Sequence, residues 1–170
     1  MSIVLDGSNL TTTGVINSGT AVASTSGTSI DFTGIPAGVK RVTVMFQGVS
    51  TNGSSITQIQ IGAGSIVTTG YSSSIAQVGS TTQGTSSTTG FAIIGSTGAS
   101  VTVSGSIVLC LQTGTTWVAT GNLNRDDNLG FVNVMAGVKT SLGGTLDRIR
   151  MTTVNGTDTF DAGSINILYE

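Results

Sequence analysis

Two pairs of carboxylates stand close enough in this sequence to share chemistry. Asp126 and Asp127 are adjacent in Asn122-Leu123-Asn124-Arg125-Asp126-Asp127-Asn128, and Asp158 and Asp161 flank Thr159-Phe160. Glycoside hydrolysis needs only two carboxyl groups set apart across a scissile bond, so both pairs qualify by residue type. Neither spacing sets that separation, and a glycan-cleaving enzyme is the least favoured functional reading. Hard cations such as calcium take oxygen ligands, which makes Asp126 and Asp127 the candidate calcium ligands. The stretch lacks the ordered ligand spacing of an EF-hand. Asn and Asp are equally expected where a turn needs left-handed residues or side-chain bonds to its own backbone. The turn is the expected role, and no metal or cofactor is expected.

The parts for other reaction classes are missing from the sequence. It contains no histidine, and its one cysteine, Cys110, sits in Ser106-Ile107-Val108-Leu109-Cys110-Leu111 and reads as a small buried hydrophobe. Nucleophile-base triads and zinc sites are thereby set aside. Gly62-Ala63-Gly64 and Gly143-Gly144 lack the lysine and the strand-to-helix context of a phosphate loop and read as turns. Trp117, the single tryptophan, stands between polar Thr116 and Val118. It would stack on a sugar ring at an attachment surface, with Asn124 and Arg125 as further surface candidates, or anchor the core or a subunit contact with Val118 turned outward. The second role is the expected one for Trp117.

Charged residues make up 8% of the chain and hydrophobic ones 38%, the remainder being mostly Ser, Thr, Gly and Asn. Six basic and eight acidic side chains give a net charge of −2. No basic field exists to neutralise a row of phosphates, so nucleic acid is not an expected partner. Gly, Ser or Thr interrupts every apolar run well short of the roughly 18 residues of a spanning helix, so membrane insertion is not expected either. Met1 to Leu10 carries neither the basic nor the apolar region of a signal peptide.

The elements that must position these residues read as strands. In Val39-Lys40-Arg41-Val42-Thr43-Val44-Met45-Phe46 the apolar Val42, Val44 and Phe46 share one face. Gly34-Ile35-Pro36-Ala37-Gly38 marks the turn before them. Residues 57–61, 101–111, 131–135, 146–153 and 164–169 alternate similarly, and 29–32, 91–94 and 116–120 are weaker candidates. Gly105 is expected to bend or bulge the long strand 101–111. Val42, Val44, Phe46, Ile107, Leu109, Ile165 and Ile167 are the expected core. Leu10 to Thr28 and Gly79 to Gly90 read as surface loops, and Ile66, Val67, Ile75 and Val78 have no obvious core position and read as edges or subunit interfaces. Val39 to Val44 and Leu146 to Met151 echo one another, as two strands in similar sheet positions would. Eight to ten strands separated by Gly, Ser or Asn turns predict an all-β, single-domain sandwich of jelly-roll type over residues 31–170. Residues 1–30 are expected to form an N-terminal strand or arm packed on, or exchanged with, neighbouring subunits.

Three segments carry a resemblance. They are Phe32-Thr33-Gly34-Ile35-Pro36-Ala37-Gly38-Val39-Lys40-Arg41-Val42-Thr43-Val44-Met45-Phe46 with Gly48 to Gly53 after it; Gln58-Ile59-Gln60-Ile61-Gly62 followed by Thr69-Gly70-Tyr71; and Gly144 to Met151 running into Asp158 to Glu170. From residue 31 onward the chain resembles virion proteins of tailed bacteriophages, tail-fibre and tail-associated structural proteins above all and capsid decoration proteins second. The resemblance implies a β-rich, often homotrimeric virion component without catalytic residues. Its implied place is the virion, assembled in the cytoplasm of the bacterial host. Its implied partners are copies of itself, other virion proteins and a host-surface glycan.

Overall fold

The computed structural model describes residues 15–95, 98–99, 101–127 and 129–170. Among these there is no helix, and fourteen strands run antiparallel in two sheets. They are β1 (Asn17–Ser18), β2 (Val22–Ala23), β3 (Ser29–Thr33), β4 (Arg41–Thr51), β5 (Thr57–Ala63), β6 (Ser65–Ile66), β7 (Tyr71–Val78), β8 (Thr82–Ser87), β9 (Phe91–Ile94), β10 (Thr102–Thr113), β11 (Thr116–Asp126), β12 (Val132–Lys139), β13 (Arg148–Thr153) and β14 (Phe160–Tyr169). The larger sheet has the order β1-β14-β4-β10-β11-β12-β7-β8, with β2 also on β14; the smaller is β3-β13-β5-β6, with β9 also on β5.

The expected β-sandwich is present. One hydrophobic core lies between the sheets, built by alternation: Val42, Val44 and Phe46 of β4, Ile107 and Leu109 of β10, and Ile165 and Ile167 of β14 are all buried. Ile59 and Ile61 of β5 and Ile149 and Met151 of β13 meet them from the smaller sheet. The echoed segments become β4 and β13, each an interior strand of its own sheet. Phe91 of β9 crosses the sandwich to meet Tyr71 of β7 edge to face, with ring centroids 5.1 Å apart.

Three glycines in neighbouring strands bend the larger sheet along one line. The β10–β4 register shifts between Val103 and Gly105, opposite Gly48, and the β14–β4 register shifts on both sides of Ala162, next to Gly163. All three have positive φ (Gly105 147°, Gly48 60°, Gly163 88°), which a side chain disfavours. Gly163 packs so closely that a Cβ there would lie 2.4 Å from the Gly48 carbonyl oxygen. The bulge expected at Gly105 is thus one element of a kink across three strands.

Two expectations fail. Residues 79–90 are not simply a loop, since β8 pairs with β7 from Ser73↔Ser87 to Val78↔Thr82. Backbone ladder bonds need no core-forming side chain, so a Ser/Thr/Gly stretch can close the edge of a sheet. Ile75 is not an edge residue either: β7 lies between β12 and β8, and Ile75 is buried in the core. Its neighbours on that face, Ser73 and Gln77, are buried but polar, which hides the period-2 signal. Within 10–28, β1 and β2 pair with β14 of the same chain. There Ser24 Oγ donates to the Ala162 carbonyl at 2.8 Å. The part of this segment before residue 15 lies outside the described residues.

Candidate functional site

The fold commits three of the four paired carboxylates, Asp127, Asp158 and Asp161, to structural roles. Asp126 ends β11 on its exposed side, whereas Asp127 lies beneath Arg125. The Arg125 guanidinium donates to Asp127 Oδ2, and also to Gln77 Oε1 at 3.2 Å. It sits 5.1 Å from the Phe131 ring centroid. The side chains of this ion pair are only 10% and 14% exposed, and Asp127 Oδ1 accepts the Leu129 N–H. The charge that Asp127 would offer calcium is therefore already matched by a guanidinium. Arg125 likewise serves the interior end of β11 rather than an open surface. Asn124 is exposed on the outer side of the larger sheet, opposite Val132.

Trp117 is 2% exposed and belongs to the core, while Val118 turns outward at 38%. Trp117 thus takes the core role expected of it, and the alternative of a surface ligand platform fails because strand alternation places its ring between the sheets. Asp158 and Asp161 bind separate partners. Asp158 accepts the Ser55 N–H at 2.9 Å and the Asn155 amide at 2.6 Å, and Asp161 accepts the Ser50 hydroxyl. Asp158 pins the turn before β14, and Asp161 ties β14 to β4. Cys110 is half-buried on the outer side of β10, not in the core, because the inward positions of that strand are the odd-numbered ones.

The sequence did not single out Lys139 or Tyr71, which face each other across the β12–β7 pairing. Lys139 is buried; its Nζ donates to the carbonyls of Thr140 at 2.6 Å and Ser141 at 3.1 Å, and stands 5.6 Å from the Tyr71 ring centroid. Burial lowers its pKa from the ordinary 10.5. Ser141 has a φ of 51°, so the ammonium holds a left-handed turn. Tyr71 Oη accepts the Ile61 N–H at 2.8 Å and donates to the Val67 carbonyl at 2.9 Å. Burial pushes its phenol up to about 12. An inward-pointing lysine in an alternating strand looks like an outward one until the register is known.

The two outer faces of the sandwich differ in chemistry. On the smaller sheet Arg150 makes a two-pronged pair with Asp31, at 2.7 and 2.6 Å, and Arg148 pairs with Asp147, whose carboxyl it holds below the usual range. A polar groove of about 330 Å³ runs past Gln58, Gln60, Thr152 and Arg150. Gln58 Oε1 accepts the Ser87 and Thr89 hydroxyls, and the Gln60 amide donates to the Thr89 carbonyl. On the larger sheet the outward positions from β14 to β7 carry Ser, Thr, Asn, Ala, Val, Met, Leu and Cys110. Val118 pairs with Val138, and Val132 with Val78. Among the described residues, charge returns at the rim, as the Arg41–Glu170 pair at one corner, Asp126 at the far end of β11 and Asp161 at the start of β14.

This geometry gives the sandwich one outer face with ion pairs and one with charge only at its rim. No family model, no curated protein and no solved structure matches the chain.

Proposed function

We propose that this chain is a non-enzymatic structural protein of a tailed-bacteriophage virion, a tail or fibre-associated module that self-associates and contributes to attachment. What carries the reading is the use to which its few reactive side chains are put. Asp127, Asp158, Asp161, Lys139 and Tyr71 are each committed to an ion pair, a turn or a strand. What is left for function is surface, and that surface is broad, polar and nearly free of charge. Like-charged copies repel one another, so an uncharged plate suits repeated packing in a particle. The resemblance of residues 31–170 to virion proteins supports the same conclusion and points to three copies, and the amide- and hydroxyl-lined groove on the smaller sheet is suited to a neutral glycan.

Imaging of virions carrying a labelled copy of the protein tests the proposal. Label at the tail supports it. Label on the head surface replaces attachment by capsid decoration, a role that binding to empty capsids would corroborate. Virions without label sink the virion assignment, and release of sugars from host polysaccharide by purified protein would return it to the enzymes.

A further inference from the structure

We infer that copies of this chain meet through the outer face of the larger sheet, from β14 across to β7. The inference deepens the structural role proposed above by naming the surface that carries the self-association. Three observations support it.

The first is the exposure of apolar side chains there. Val78 is 46% exposed, Val134 44%, Val118 38% and Val132 38%. They cluster on three neighbouring strands, tied by the pairs Val118↔Val138, Asn122↔Val134 and Val132↔Val78. Scattered surface valines need no explanation, but a contiguous patch does.

The second is charge. Among the described residues no carboxylate, ammonium or guanidinium interrupts the middle of the face, and the Arg41–Glu170 pair, Asp126 and Asp161 lie at its margin. An exposed apolar patch on β11, β12 and β7, with charge confined to the rim of the face, is the pattern of a protein–protein interface. The face has no charge for a charged partner to complement, whereas the smaller sheet, with its Arg150–Asp31 and Arg148–Asp147 pairs, is equipped to face water. The best match for an uncharged face of Val, Thr, Ser and Asn is the same face on another copy. Two copies then satisfy it about a two-fold axis; about a three-fold axis, half of each face meets half of its neighbour's.

The third is size. Six strands at ~4.8 Å spacing and seven residues at ~3.3 Å rise make a face of roughly 29 by 23 Å. Covering it on two copies about a two-fold axis removes on the order of 1,300 Å² from water, above the ~1,000 Å² that a specific interface needs, whereas about a three-fold axis each contact removes roughly half of that and three contacts together about 2,000 Å². Isolated ion pairs or the single polar groove offer no comparable area.

The test is the mass in solution of the full chain and of three variants, by light scattering after size exclusion over a hundredfold range of concentration. The unaltered protein should give two or three times the 17.0 kDa chain mass. Val134→Glu and Val118→Glu place a carboxylate within the exposed valine patch of the face, at positions exposed enough to leave folding intact. Each should reduce the mass to that of one chain while the β-sheet circular dichroism is unchanged. Val154→Glu, at an exposed position beyond β13, should leave the assembly as it was. If the unaltered protein is a monomer throughout, the inference falls, and the virion assignment is judged separately by the labelled particles. If Val134→Glu and Val118→Glu keep the oligomer, a different surface joins the copies and the inference also falls. If they keep the oligomer but prevent incorporation into particles, another virion protein covers the face, and a second copy is not its occupant.

Discussion

The kink across β14, β4 and β10 depends on glycine at Gly163 for two separable reasons, and a set of alanine substitutions measures each. Gly163 has a φ of 88° and a Cβ there would lie 2.4 Å from the Gly48 oxygen and 2.5 Å from the Gln47 oxygen. Gly143 has nearly the same φ, 91°, with nothing within 4 Å of its Cβ position. Gly121 has no positive φ, but its Cβ would lie 2.3 Å from the Ser106 oxygen. Left-handed backbone costs a residue with a Cβ about 1–2 kcal/mol, and forcing an added methyl against fixed backbone costs about 1–3 kcal/mol. Gly143→Ala should therefore lose about 1–2 kcal/mol, Gly121→Ala about 1–3, and Gly163→Ala about 2–5. With a urea slope of about 2 kcal/mol per molar, the unfolding midpoint should fall by roughly 0.5–1 M for Gly143→Ala and by roughly 1–2.5 M for Gly163→Ala. All variants must be compared at one protein concentration, because association adds to apparent stability. Equal midpoints for Gly163→Ala and Gly143→Ala would refute the close approach of β14 to β4, and with it the kink. A Gly121→Ala protein as stable as the parent would refute the tight β10–β11 spacing.

Val44→Asp places an unpaired carboxylate in the closed core, where Val44 has no exposure, and should abolish soluble folded protein; a variant that melts like the parent would show the register of β4 to be wrong. Asp127→Ala strips the buried Arg125 of its counter-ion and should destabilise by about 2–4 kcal/mol, while millimolar calcium should leave the melting temperature of the parent unchanged; a calcium-dependent rise would restore Asp126 and Asp127 as ligands. Tyr71 has its phenol raised from 10.0 to about 12, so the folded state holds a proton that the unfolded state releases between those values, and stability should fall as pH rises through that window. Tyr71→Phe should remove this alkaline loss, at a cost of about 1–3 kcal/mol near neutrality for leaving the Ile61 N–H without its acceptor; urea midpoints between pH 9 and 12 measure both. Lys139, whose pKa is lowered from 10.5, acts in the opposite sense, because the unfolded chain binds its proton more tightly. Stability should therefore gain as pH approaches 10.5 from below, and Lys139→Met should flatten that rise.

Local alternation made the strands with apolar inward faces legible in the sequence, and with them the sandwich and the core of Val42, Val44, Phe46, Ile107, Leu109, Ile165 and Ile167. Glycine punctuation located the bulge at Gly105, because a positive φ is a demand that a residue type can reveal. β7 and β8 were hidden for the converse reason. Ser73, Gln77 and Ser87 face inward as polar groups, and their hydrogen-bond partners are ones that only the assembled sheets supply, such as Gly90 O for Ser73 Oγ and the Arg125 guanidinium for Gln77 Oε1. The same dependence decided the candidate sites. Residue type made Asp126, Asp127, Asp158 and Asp161 eligible for chemistry, but whether a carboxylate is free or already neutralised is set by what lies across the fold, and Asp127 turned out to lie beneath a guanidinium. Composition fixed the scarcity of charge. Only the pairing of six strands decided that nearly all of that charge would stay off one broad outer face, since a surface made of residues far apart in the chain exists in the register and nowhere in the sequence order.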